Sequence, residues 1–233
     1  LLEPVFQQLG AEGELLYRSF SDVLPEQANL ELNKITSVRG NFVSLVLGSG
    51  SNRWSNIMLA QAYARLGTGR KVDCRVVQNP NAFVELEDFP KLPLSEDVLN
   101  EVHLGMSRAV QNLPGSTAAR ISSSLQEARN RLSAKGLKLY AIGKTGTAMR
   151  ISATYAKDHR KRECAAFCLY LELRDSADQI LSATSTAVYL QDRASAKQGP
   201  TNSANAVECT KNFLPHILSW METQARLRRI AAR

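Results

Sequence analysis

The sequence predicts an α+β fold, an antiparallel sheet flanked by helices, and three observations carry that reading. Helical periodicity dominates residues 1–136. Three strand-like runs then follow one another. A long amphipathic stretch closes the chain and must cover one face of the sheet those strands make. The 233 residues suffice for one sizeable core. The chain therefore reads as a single domain, with a mostly helical part over 1–136 and strands plus a closing helix over 137–225.

Residues 1–40 hold a short apolar helix candidate, Leu2 to Leu9, and suggest no chemistry. Phe42 to Leu47 is a short apolar strand or buried stretch. Gly48-Ser49-Gly50-Ser51-Asn52 follows it, and Ser51 or Asn52 can cap the next helix. That helix, Arg53 to Leu66, carries Trp54, Ile57, Met58, Tyr63 and Leu66 on an apolar face, with Gly67 and Gly69 to stop it. A glycine-rich turn ahead of a helix can bind an anion, although a tight turn between packed elements is the simpler reading. Lys71 to Val77 reads as a short strand, and 79–94 as a loop with Pro80, Pro90 and Pro93.

Ser95 caps a strongly amphipathic helix that turns Val98, Leu99, Val102, Met106, Ala109 and Val110 inward. Glu96 and Asp97 suit its first turn, and His103 beside the stripe reads as a packed or half-exposed structural residue. Pro114-Gly115 breaks this helix. Residues 116–134 form another, with Ala118, Ile121, Leu125, Ala128 and Leu132 on one side and Gly136 at its end. The strand run Leu137 to Ile142 comes next. Glu163 to Leu173 and Ile180 to Leu190 are two more, joined as a hairpin by the polar link Arg174 to Asp178. The last helix, Ser203 to Ala225, is expected to bury Val207, Phe213, Leu214, Ile217 and Trp220, and to kink at Pro215.

Hydrophobic content of 44% and charged content of 22% are ordinary for a globular protein. No apolar run is long enough to cross a membrane, and no signal-peptide pattern is present. Net charge is +7, compatible with an anionic partner. The basic runs Lys157–Arg162 and Arg226–Arg233 lack interleaved aromatics, so solvated surfaces are favoured and no nucleic-acid partner is expected. Cys74, Cys164, Cys168 and Cys209 form no C-x-x-C pair, and no His stands at zinc-ligand spacing. No metal or cofactor is expected. On one strand, Cys164 and Cys168 lie about 13 Å apart, too far to bridge, and buried free thiols are expected.

The stretch that suggests chemistry is Lys144-Thr145-Gly146-Thr147, directly after the Leu137–Ile142 strand. A strand end here offers an ammonium, two hydroxyls and backbone N–H groups to an anionic or carbonyl ligand. Gly146 removes the side chain that would hold a ligand off the backbone. Three readings compete. One is a surface strand end with a solvated lysine. Another is a phosphate-binding P-loop, which fails on spacing because Lys138 stands where its first glycine belongs. The third is the Lys-Thr-Gly element of penicillin-binding proteins and serine β-lactamases, which also sits on a strand.

A second landmark raises the third reading. Gly48-Ser49-Gly50, then Asn56 to Leu66, then Gly69-Arg70-Lys71-Val72 is similar to a Gly-x-Gly turn, helix and closing turn found upstream of Lys-Thr-Gly in that family. The two landmarks stand in family order, and the chain over about 40–223 resembles the C-terminal half of a penicillin-binding protein transpeptidase domain. That fold would be incomplete in this chain. The resemblance implies a peptidoglycan DD-transpeptidase, acting on a stem peptide ending in D-Ala-D-Ala and inhibited by β-lactams. Lys144 would hold the catalytic hydrogen-bond network. Thr145, Gly146 and Thr147 would bind the substrate carboxylate, and the Thr147 N–H would be half of the oxyanion hole. It also implies the bacterial cell envelope, on the periplasmic side of the inner membrane, with a membrane anchor possible upstream.

The family's Ser-x-x-Lys nucleophile motif is missing, because no lysine has a serine three residues before it. The closest match is Thr68-Gly69-Arg70-Lys71, in a glycine turn. The Ser-x-Asn motif is missing upstream too, and Ser203-Ala204-Asn205 follows Lys-Thr-Gly and reads as a helix cap. Two expectations follow. The chain is a portion of a transpeptidase whose Ser-x-x-Lys lies on a separate segment, which the start at Leu1 favours. Alternatively it is an inactive relative, a binding or scaffolding module of the envelope.

Overall fold

The structure is a computed structural model and describes residues 56–73, 86–150, 162–191 and 203–231. The Leu2–Leu9 helix, the Phe42–Leu47 strand, the Gly48–Asn52 turn and Lys157–Lys161 lie outside the described residues. Backbone contacts divide the chain into two units, with the division between Leu99 and Asn100.

In the first unit, α1 runs from Asn56 to Thr68. It continues through Gly67 and stops at Gly69, whose φ of +66° suits a residue without a Cβ. Its buried positions are Gln61, Ala62, Arg65 and Gly67, whereas Ile57 of the expected apolar face is exposed. Tyr63 and Leu66 of that face are half-buried. Arg65 is anchored: its Nε donates to the Val72 carbonyl at 2.8 Å, and it pairs with Asp73 at 2.5 Å. Residues 71–73 are not a strand. The extended pairing here is a single antiparallel bridge between Arg70 and Lys91. A 3₁₀ turn, η1, occupies Leu86–Asp88 within the expected loop.

Helix α2, Glu96–Ala109, carries the chain across the division. Ser95 Oγ accepts from the Val98 N–H at 3.3 Å, the expected cap. Met106 is buried and so is Val110 just beyond the helix, but Val98 is exposed. The chain then turns through Gly115 (φ +81°). A 3₁₀ turn, η2 (Ala119–Ile121), leads into α3, Ser122–Ser133.

Ala118, Ile121, Leu125, Ala128 and Leu132 are all buried, as their spacing predicts. Helix α3 ends in a Schellman arrangement around Gly136 (φ +67°). There the Leu137 N–H reaches the Leu132 carbonyl at 3.0 Å, and the Gly136 N–H reaches that of Ser133 at 3.0 Å.

Strands β1 (Lys138–Arg150), β2 (Arg162–Arg174) and β3 (Ile180–Gln191) form an antiparallel sheet in the order β1-β2-β3. The β2–β3 link is tied by Asp175, whose Oδ1 accepts from the Ala177 and Gln179 N–H groups, both at 2.9 Å. One sheet face carries Leu139, Ala141, Phe167, Leu169, Leu171 and Leu173, and joins α3 and the closing helix in one core. The opposite face of β2 is buried as well, at Cys168, Tyr170 and Glu172.

The closing helix, α4 (Ser203–Ala231), packs on β2 and β3. It runs on through Pro215. Val207 and Leu214 are buried as expected, but Phe213 (58% exposed) and Trp220 (45%) are not. Leu218, Met221 and Ala225 take the inner face instead, continuing the three-and-four spacing set by Leu214.

Candidate functional site

Strand β1 does not end before Lys144; it continues through the motif to Arg150. It is also an outer strand of the described sheet, paired with β2 alone. Lys144 stands opposite Cys168, Thr145 opposite Phe167, and Thr147 opposite Ala165. Alternation sends Lys144 and Gly146 to one face and Thr145 and Thr147 to the other.

Lys144 is exposed and lines a groove of about 540 Å³. The rest of that groove comes from Glu101, Val102, Gly105, Met106, Arg108 and Ala109 of α2 and from the turn Leu113–Thr117. Its ammonium donates to the Thr145 carbonyl at 2.5 Å, so it lies back along its own strand. Gly146 and Thr147 are exposed. A Cβ on Gly146 would have only the Ala166 Cβ within reach, at 3.7 Å, so the fold does not require glycine there.

Thr145 differs from its neighbours. It is buried, and its hydroxyl donates to Thr117 Oγ1 at 2.7 Å. The four motif residues are thus held together on one edge, but only Lys144, Gly146 and Thr147 face solvent. The loop that supplies Thr117 is itself fixed. The Ala118 N–H reaches back to the Ala109 carbonyl at 3.0 Å, and Ser116 Oγ donates to the Arg108 carbonyl at 2.8 Å.

Cys168, across the ladder from Lys144, is a free buried thiol. Burial pushes its pKa up to about 12, and the Lys144 charge offsets only part of that. A protonated thiol is a poor nucleophile, so Cys168 does not replace the missing serine. Cys209 is also free and half-buried.

Two features were not foreseen in the sequence. Thr117 is one, because nothing local marks a lone threonine as the partner of a residue 28 positions away. The other is a polar network on the second sheet face, on β1, β2 and α2. The buried Glu172 accepts from the Tyr170 hydroxyl at 2.5 Å and from Arg174 Nε at 2.7 Å. Burial and the Glu172 charge hold the Tyr170 phenol well above its ordinary pKa. Arg174 stacks 5.5 Å from the Tyr140 ring, and His103 of α2 contacts that ring at 6.1 Å. His103 is therefore a packed, half-buried residue. The visible signal was an acid within the otherwise apolar run Phe167–Leu173.

Among the described residues no group of His, Cys, Asp and Glu could hold a metal, and no helix is long and apolar enough to cross a membrane. The fold and site define an α+β protein that presents a lysine, a glycine and a hydroxyl on an outer strand beside a groove. Protein-family models, curated proteins and solved structures gave no match to this chain.

Proposed function

We propose that this chain is the carboxylate- and oxyanion-binding part of a peptidoglycan DD-transpeptidase domain, working with a Ser-x-x-Lys segment that it does not itself carry. The observation that supports this reading is the exposure of Lys144, Gly146 and Thr147 together on an outer strand beside a groove. A peptide laid along such an edge can pair with the strand backbone, with its terminal carboxylate on the Thr147 hydroxyl, while Lys144 on the other face of the strand adds a positive charge to the same edge. Thr145, engaged with Thr117, positions the strand in this reading and does not touch the ligand. The setting would be the bacterial cell envelope, on the periplasmic side of the inner membrane.

The absence of a serine three residues before any lysine favours a second reading, an inactive penicillin-binding-like module that binds or scaffolds. The first reading expects reversible binding at the Lys144 edge, the second expects function to survive loss of Lys144, and neither expects an acyl-enzyme from this chain alone. The test is a titration with a diacetylated Lys-D-Ala-D-Ala tripeptide, followed by NMR. Saturable shifts on β1, weakened in Lys144→Ala and Thr147→Val, are expected. Loss of binding in neither variant would sink the first reading, and a stable covalent adduct with a fluorescent penicillin would sink both. Activity regained on adding a Ser-x-x-Lys segment separates the first from the second.

A further inference from the structure

On the sheet face covered by α3 and α4, a second groove of about 740 Å³ runs between the two helices. It shares no residue with the Lys144 groove. Its floor is apolar, with Leu137, Leu214 and Leu218 buried at the base. Its walls are basic: Arg131, Lys135, Lys211, Arg226 and Arg229 face it against two carboxylates, Glu127 and Glu222, a net +3.

Three of those cations are already engaged. Glu222 takes Arg131 at 2.7 Å and Lys135 as well, and Lys211 pairs with Glu208 at 3.3 Å. Arg226 and Arg229, one helical turn apart and both exposed, have no carboxylate partner among the described residues. The lining reaches along α4 from Lys211 to Arg229, about 27 Å at the rise of an α-helix.

We propose that this groove is a docking site for an acidic amphipathic peptide segment of another protein, with its apolar side on the floor and its carboxylates on Arg226 and Arg229. Charge complementarity and length argue for that occupant. Guanidinium forks match carboxylates in paired hydrogen bonds, and an amphipathic helix laid in a groove is an established mode of peptide recognition. A nucleic-acid backbone would meet the same arginines, but it could not use an apolar floor, and the lining contains no aromatic residue on which a base could stack. A single small anion would leave most of the groove empty.

The test uses the full chain and a fluorescein-labelled synthetic peptide of about 18 residues, matched to the groove, with leucines at i, i+3, i+4 and i+7 and glutamates flanking them. Saturable binding is expected. It should weaken at least about tenfold in Arg226→Glu/Arg229→Glu and survive in Arg226→Lys/Arg229→Lys. Both arginine positions are exposed, so circular dichroism should be unchanged. Absence of saturable binding overturns the proposal, as does equal binding by a lysine-for-glutamate peptide or by the charge-reversed variant. Tighter binding of a short DNA duplex, or concentration-dependent self-association that the peptide fails to compete, overturns it too.

Discussion

The hydroxyls of Thr145 and Thr117 lie 2.7 Å apart, and that bond fastens the outer strand to the turn that closes α2. It turns a residue that the motif would offer to a ligand into part of the frame. The exposed hydroxyl left for a ligand on this stretch is Thr147.

The two threonines should respond unequally to substitution. Thr145 is buried and Thr117 is exposed. Thr117→Ala strands the Thr145 hydroxyl away from water and should cost about 1–3 kcal/mol. Thr145→Val leaves the Thr117 hydroxyl free to bond water and should cost only about 0.5–1.5 kcal/mol. Urea denaturation of both variants checks the order, and equal or reversed costs would contradict the burial argument.

The two glycines of β1 should separate stability from binding. A Cβ on Gly143 would stand 2.7 Å from Val110 Cγ1 and 3.0 Å from the Phe167 ring, inside the core. Gly143→Ala should cost roughly 1–3 kcal/mol by overpacking. Adding Val110→Ala should recover part of that cost in a double-mutant cycle. Gly146→Ala meets only an ordinary contact. It should keep stability within about 0.5 kcal/mol of wild type while weakening tripeptide binding at the Lys144 edge. A Gly146→Ala protein that binds normally would argue against close approach of a ligand to that backbone.

Cys168 should be inert in the folded protein. With its pKa raised to about 12 by burial, roughly one thiol in ten thousand is ionised at pH 8. Treatment with N-ethylmaleimide at that pH, followed by peptide mapping, should leave Cys168 unmodified until denaturant is added. Rapid native labelling would show that the sheet face opens.

Glu222 should contribute to acid sensitivity. Partial burial raises its pKa, but Lys135 and Arg131 outweigh that and hold it below the ordinary glutamate value of 4.5. A depressed folded pKa gives stability that is fully present above the ordinary value and is lost as pH falls through the folded one. The wild type should therefore melt higher than Glu222→Gln at pH 7, and the gap should shrink below about pH 4.5. A gap that widens in acid would reverse the assignment.

Much of the architecture was legible because single periodic signals pointed one way. The stripe Ala118–Leu132 has only one apolar side, so its burial followed from spacing. The β2–β3 hairpin followed from two runs of apolar, aromatic and β-branched residues around a polar link, with strand ends within a residue or so of those expected. Helix α4 was harder. It carries two apolar stripes, Leu214–Leu218–Met221–Ala225 and Phe213–Trp220–Leu227, and periodicity alone cannot say which one meets a sheet. In α1 the burial of Arg65 was not legible, because its hydrogen bonds to residues 72–73 were invisible in the local sequence.

The order of residues determined the elements: where glycine ends α3, where Ser95 starts α2, and which segments become strands. It also determined that lysine, threonine and glycine follow one another at one place on a strand. Only the tertiary structure decided that this strand lies at an edge of the described sheet, that Thr117 claims Thr145, and that Lys144 opens on a groove. Local rules depend on neighbours a few residues apart, whereas pairing, burial and exposure depend on segments that meet only once the chain has folded.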